Sequence, residues 1–81
     1  MINMLKKEKA LEELKNGSKL VFQYMSGTVF VVKNKEPIGR VRFDTFEKLT
    51  AEDNKFGIKK VKSGDYGVMN PTFAMTDQSK N

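Results

Sequence analysis

Arg40 and Arg42, the two arginines of the chain, alternate with Val41 and Phe43 in the stretch IGRVRF, and Lys33 and Lys35 stand shortly before them. A guanidinium is a planar fork that grips a phosphate or a guanine edge through two hydrogen bonds, and ammonium groups add an attraction to phosphate that does not depend on base sequence. A second basic run, Lys59, Lys60 and Lys62, lies in IKKVK. These seven residues are the candidate surface for nucleic acid or for another acidic partner. The same pattern also suits the wet face of a half-buried sheet, because lysine on an exposed strand opposes edge-to-edge aggregation.

Four aromatic residues, Phe22, Tyr24, Phe30 and Tyr66, fall in strand-like runs and are candidate anchors. Exposed, they would stack on bases or fill a pocket on a partner; buried, they are core.

The inventory for catalysis is mostly one of absences. The chain has no histidine and no cysteine, which removes the commonest general base, imidazole and thiolate metal ligation, and disulfides. GxGxxG, GxxxxGK[ST], GxSxG and HExxH do not occur, and the serines have no histidine to activate them. Asp44 and Glu47 have the spacing of a helix-capping pair, and Glu52 with Asp53 reads as a solvated turn. A non-enzymatic protein without cofactor or metal is expected.

The net charge is +5 over 81 residues, an argument about attraction to polyanions rather than about fold. It is unevenly spread. Residues 19–43 carry Lys19, Lys33, Lys35, Arg40 and Arg42 against Glu36 alone, whereas in residues 44–54 four carboxylates face only Lys48. The positive charge therefore falls on the segments that read as strands.

The elements that must position these side chains follow from patterning. Asn3 can cap a helix from Met4, whose residues Met4, Leu11 and Leu14 recur on one face, and Asn16-Gly17 supplies the left-handed stop near Lys15. KLVFQYMSGTVFVVK predicts a hairpin turning at Ser26-Gly27, with Tyr24 facing Val29, Phe22 facing Val31 and Leu20 facing Lys33. Asn34 to Pro37 is a turn by composition, after which IGRVRF forms a third strand with both arginines on one side. DTFE then opens a short helix to about Ala51, anchored by Phe46 and Leu49. Ser63-Gly64 predicts a second hairpin in which Lys62 meets Asp65, Val61 meets Tyr66 and Lys59 meets Val68, and Pro71 is expected to interrupt pairing.

The expected fold is α+β: an N-terminal helix packed on a small antiparallel β-sheet of two hairpins, with a short second helix. Residues 1–75 should form a single compact domain and 76–81 a flexible C-terminal tail. No apolar run approaches the roughly 20 residues that span a bilayer, and the lysine-rich start lacks a signal-peptide core, so no membrane association and a cytoplasmic location are expected. The function expected first is nucleic-acid binding, to DNA or RNA, through a basic β-sheet surface. A major-groove recognition helix should be longer and more basic than DTFEKLTAED, so strands rather than a helix would make the contact. The other expectation is a protein–protein interaction: a small protein of phage or mobile-element type, by analogy of size and composition, that inhibits or redirects a larger host or defence protein. That partner would itself be acidic or nucleic-acid-binding; a homodimer would favour a symmetric DNA binder, whereas a monomer with an exposed aromatic patch favours protein capture.

Overall fold

The helix at the N-terminus is held by its apolar stripe. Ala10 and Leu14 are buried and Leu11 half-buried, while lysines and glutamates take the solvent face, with Lys9 3.6 Å from both Glu12 and Glu13. In the computed structural model, which describes residues 2–63 and 70–75 and only the backbone at 62 and 63, this helix, α1, spans Lys7–Lys15. It ends as expected: Gly17 adopts φ +100°, which glycine reaches without a Cβ penalty.

The helix starts three residues later than the capping pattern suggests. Asn3 is not its cap, because the backbone before it is engaged elsewhere: Leu5 N donates to Arg40 O at 2.7 Å and Arg40 N donates to Asn3 O at 3.0 Å. Two ladder bonds to an exposed strand satisfy more backbone than one side-chain cap would. Met4 is half-exposed as a result and takes no core position.

Five strands follow: β1 (Lys19–Gln23), β2 (Thr28–Lys33), β3 (Glu36–Val41), β4 (Ile58–Ser63) and β5 (Pro71–Met75), with the second helix, α2 (Phe43–Thr50), between β3 and β4. They form one antiparallel sheet in the order β3-β2-β1-β5-β4. Both helices lie on one face. There Leu20, Val29, Val31, Val41 and Ile58 from the strands meet Ala10, Leu14, Phe46 and Leu49 from the helices in one core. The α+β class is thus the observed one.

The register differs from expectation in three places. The first hairpin pairs Gln23 with Thr28 and Leu20 with Val31, so its loop is the four residues Tyr24–Gly27. Gly27 N donates to Gln23 O at 2.8 Å and Ser26 Oγ contacts Gln23 Oε1 at 2.9 Å, which closes the wider loop. The slip is two residues, so every side chain keeps its expected face. Tyr24, however, is freed from the ladder.

The third strand ends at Val41. Arg42 is the residue before α2 and Phe43 lies in its first turn, with Phe46 N bonded to Arg42 O at 2.9 Å. The helix takes over this early because burying Phe46 and Leu49 three residues apart needs a preceding turn to carry them. Asp44 is then inside the helix rather than at its cap. Its carboxylate accepts the Thr45 N–H at 2.7 Å, and no capping box with Glu47 forms.

The last correction concerns β4. Its partner is Pro71–Met75: Ser63 pairs with Pro71, Lys62 with Thr72, Lys60 with Phe73 and Lys59 with Ala74, with a bulge at Val61. The pairings expected with Asp65, Tyr66 and Val68 are displaced, because Phe73 and Met75 alternate toward the helices and pack on the core. Pro71 does not interrupt pairing, since it opens the strand, where a missing N–H does least harm. The Ser63-Gly64 turn and the tail at 76–81 fall outside the described residues.

Candidate binding surfaces

The sheet order separates the basic residues that looked contiguous. Arg40 is on β3 and Lys59, Lys60 and Lys62 are on β4, the two opposite edges. Four inter-strand steps of about 4.8 Å put them roughly 19 Å apart. Lys33 ends β2 and Lys35 is the second residue of the two-residue β2–β3 turn, where Asn34 and Lys35 both have positive φ (54° and 67°), the type I′ geometry of a tight hairpin. Lys33 stands directly opposite Glu36, which offsets its charge.

Cross-strand partners share a face, so the register places each side chain. Arg40 is opposite Phe30, Phe30 opposite Val21, and Val21 opposite Thr72, in one row across the sheet. This row lies on the face away from the helices, as does Lys59 opposite Ala74. Arg40 and Lys59 are exposed there, but Val21, Val32 and Thr72 in the middle are buried, and Lys19 and Phe30 are engaged in further contacts. The face is not a bare stacking platform. Lys60, opposite Phe73, lies on the helix side of the same edge strand.

Arg42 belongs to a different neighbourhood. Its side chain is 72% exposed and its Nε lies 3.3 Å from Asp44 Oδ1. The Thr45 backbone N–H is the main cause that holds the Asp44 carboxyl below its ordinary 3.8; desolvation, next in size, opposes it, and the Arg42 side chain and Lys48 each add a smaller lowering effect.

The aromatic residues converge where the basic ones disperse. Phe22 is half-buried, with ring centroids 4.8 Å from Tyr24, 5.5 Å from Phe43 and 5.8 Å from Phe46; Phe46 in turn meets Phe73 edge-on at 5.3 Å. The series runs from the core out to the surface, at the end of the sheet where the β1–β2 loop faces the start of α2. There Tyr24 is 59% exposed, Met25 98% and Phe43 47%. Asn70 Oδ1 accepts the Tyr24 N–H at 3.4 Å and steadies the loop from β5's approach.

Of the four expected anchors, Phe22 and Tyr24 share this patch, Phe30 lies half-buried on the other face, and Tyr66 is outside the described residues. Phe43 and Met25 were not among the expected anchors. Phe43 reads as the core side of a strand until the early start of α2 turns it outward, and Met25 reads as a turn residue with no partner to mark it.

Among the described residues no helix is long and apolar enough to cross a membrane, and no three acidic side chains gather to hold a metal ion. Compared with known proteins, the chain matches no family model, no curated protein and no solved structure.

Proposed function

We propose that this chain is a small non-enzymatic binding protein that captures a protein partner through Tyr24, Met25 and Phe43, with Arg42 beside them. The observation that carries this reading is that Tyr24 and Phe43, both exposed, rest on the Phe22 ring, with Met25, 98% exposed, next to Tyr24 in the same loop. Aromatic residues, methionine and arginine are the types enriched at the centres of protein interfaces. Covering such a side chain fully is worth about 1.5–3 kcal/mol in transfer terms. Phe22 and Phe46 beneath the patch restrict its rings, which lowers the ordering cost of binding. The reading extends the expectation of a small protein that inhibits or redirects a larger one.

The test is site-specific photocrosslinking. Met25→p-benzoylphenylalanine is expected to yield a discrete adduct in the producing cell, lost when Phe43→Ala is added. Equal adducts from a probe at Glu8, on the solvent face of α1, would refute the patch as the site.

A second reading, nucleic-acid binding, is favoured by the exposed Arg40 and Lys59 on one sheet face and by the net charge of +5. Fluorescence anisotropy of labelled single- and double-stranded oligonucleotides across salt tests it. Arg40→Ala with Lys59→Ala should reduce the log–log salt slope by about 2 if both touch phosphate. Absence of binding at low salt removes this reading and leaves the first intact.

A further inference from the structure

We infer that the outer edge of β4 is a receptor for an extended acidic peptide strand, whose apolar side chain enters the cavity between β4 and the end of α2. This surface is distinct from the Tyr24–Phe43 patch, lies toward the opposite end of the sheet, and stands whether or not that patch binds a partner.

Three observations carry it. The first is the edge itself. β4 is the last strand of the sheet, and among the described residues no strand lies beyond it. Where β4 begins, the chain has already placed a substitute strand there: the Asn54 side chain donates to Ile58 O at 3.0 Å and accepts Ile58 N–H at 3.2 Å. Both backbone groups of Ile58 therefore point away from β5. The alternation of an antiparallel strand turns those of Lys60 outward as well. The loop that delivers Asn54 is rigid, since its Oδ1 also accepts Phe56 N–H at 2.9 Å and Gly57 N–H at 3.0 Å, and its Nδ2 also donates to Ala51 O at 2.6 Å.

The second is the cavity beside this edge. About 370 Å³ lies on the helix side, lined by Thr50, Ala51, Gly57, Ile58, Lys60 and Phe73 among others. Its floor is apolar, because Ile58 is buried and Phe73 is packed on the core. A strand added to β4 directs alternate side chains to this face, so one apolar residue of the guest falls into the cavity. Backbone bonds would supply affinity and the cavity selectivity, as in strand addition generally.

The third is charge. Lys59 and Lys60 are exposed, and Lys62 follows on the same strand. A second copy of β4 paired edge to edge would set lysine against lysine, which is unfavourable directly across a ladder. The complementary occupant is acidic, and Glu52 on the cavity rim is its one opposing carboxylate among the lining residues.

The experiment uses the full chain and the fluorescein-labelled peptide EDVELEVE, followed by anisotropy and by backbone amide shifts. Saturable binding is expected, with shifts at Lys59, Lys60, Gly57 and Phe73 and slowed exchange of the Lys60 amide. Lys60→Glu should weaken binding about tenfold, equivalent to about 1.4 kcal/mol. Ala51→Leu, which fills the cavity without changing charge, should weaken it similarly, both variants being checked for unchanged melting. Methylating alternate peptide nitrogens should abolish binding. Equal binding by the methylated peptide would overturn the proposal in favour of a charge contact, as would shifts confined to Tyr24 and Phe43 or no saturation. An oligonucleotide that moves the same amides and displaces the peptide would assign the edge to nucleic acid and likewise overturn it.

Discussion

Gly39→Ala offers the sharpest test of how the edge of this sheet is built. Gly39 stands opposite Val31 on the helix side of β3, beneath the segment that pairs with Arg40. A methyl group added there would lie 2.7 Å from Leu5 Cδ1, 2.8 Å from Leu5 Cγ and 3.3 Å from Asn3 O. Carbon atoms settle at about 3.5–4.0 Å, so Leu5 would have to retreat by roughly 1 Å. Cγ cannot do this by a rotamer change at its tip alone, and the adjoining backbone is tied by its two bonds to Arg40. Overpacking of this kind costs about 1–3 kcal/mol. Against it stands a gain of about 0.4–1 kcal/mol, because alanine narrows the unfolded ensemble relative to glycine. The net expectation is a loss of about 1–2 kcal/mol, seen by circular dichroism as a melting temperature lower by about 4–8 °C for each kcal/mol in a domain of this size. The decisive comparison is the Leu5→Ala background. With the obstruction gone, Gly39→Ala should turn neutral or mildly stabilising, a coupling of about 1–2 kcal/mol between the two sites. If Gly39→Ala costs the same in both backgrounds, or stabilises the native protein, Leu5 does not clamp this edge.

Three other outcomes follow from the same geometry. Asn54→Ala should destabilise by about 2–4 kcal/mol in urea unfolding, since it leaves several half-buried backbone groups at the α2–β4 connection without partners; a change under half that range would mean that water replaces the amide. Lys35→Gly should stabilise by about 1 kcal/mol, because a left-handed φ of 67° strains a residue with a Cβ; unchanged stability would mean that the turn relaxes. Asp44 should titrate below its ordinary 3.8 in a carboxyl NMR titration. Arg42→Ala should move it upward but not fully back, since the larger cause, the Thr45 N–H, remains. A depressed native pKa contributes stability that is present above the unfolded value and lost as pH falls through the native one, so the Arg42–Asp44 contact contributes at neutral pH and is lost only at the acid end.

The sequence by itself determined what depends on neighbours along the chain. Leu11 and Leu14 of the apolar stripe, the stop at Gly17 and the alternation of Leu20, Phe22, Val29 and Val31 each follow from a period of 3.6 or 2 read against burial on one side, whereas Met4, read into the same stripe, is exposed and Ala10, which was not, is buried. Even the slipped hairpin kept its faces, because parity survives a shift of two. Phe46 and Leu49 were legible as the anchors of α2 for the same reason. Tertiary structure alone decided which strands are neighbours. Nothing local shows that Pro71–Met75 inserts between β1 and β4, or that Asn3–Leu5 leaves the helix to pair with Arg40, since these choices rest on long-range hydrogen bonds and shared burial. They also settled the candidate surfaces. Inserting β5 and ordering the sheet from β3 to β4 drove the two basic runs to opposite edges, while starting α2 at Phe43 brought Phe43, Phe22 and Tyr24 together. Charge and ring were readable as residue types, and their assembly into a site was not, because it is the sheet order, a property of the whole fold, that sets which edges meet.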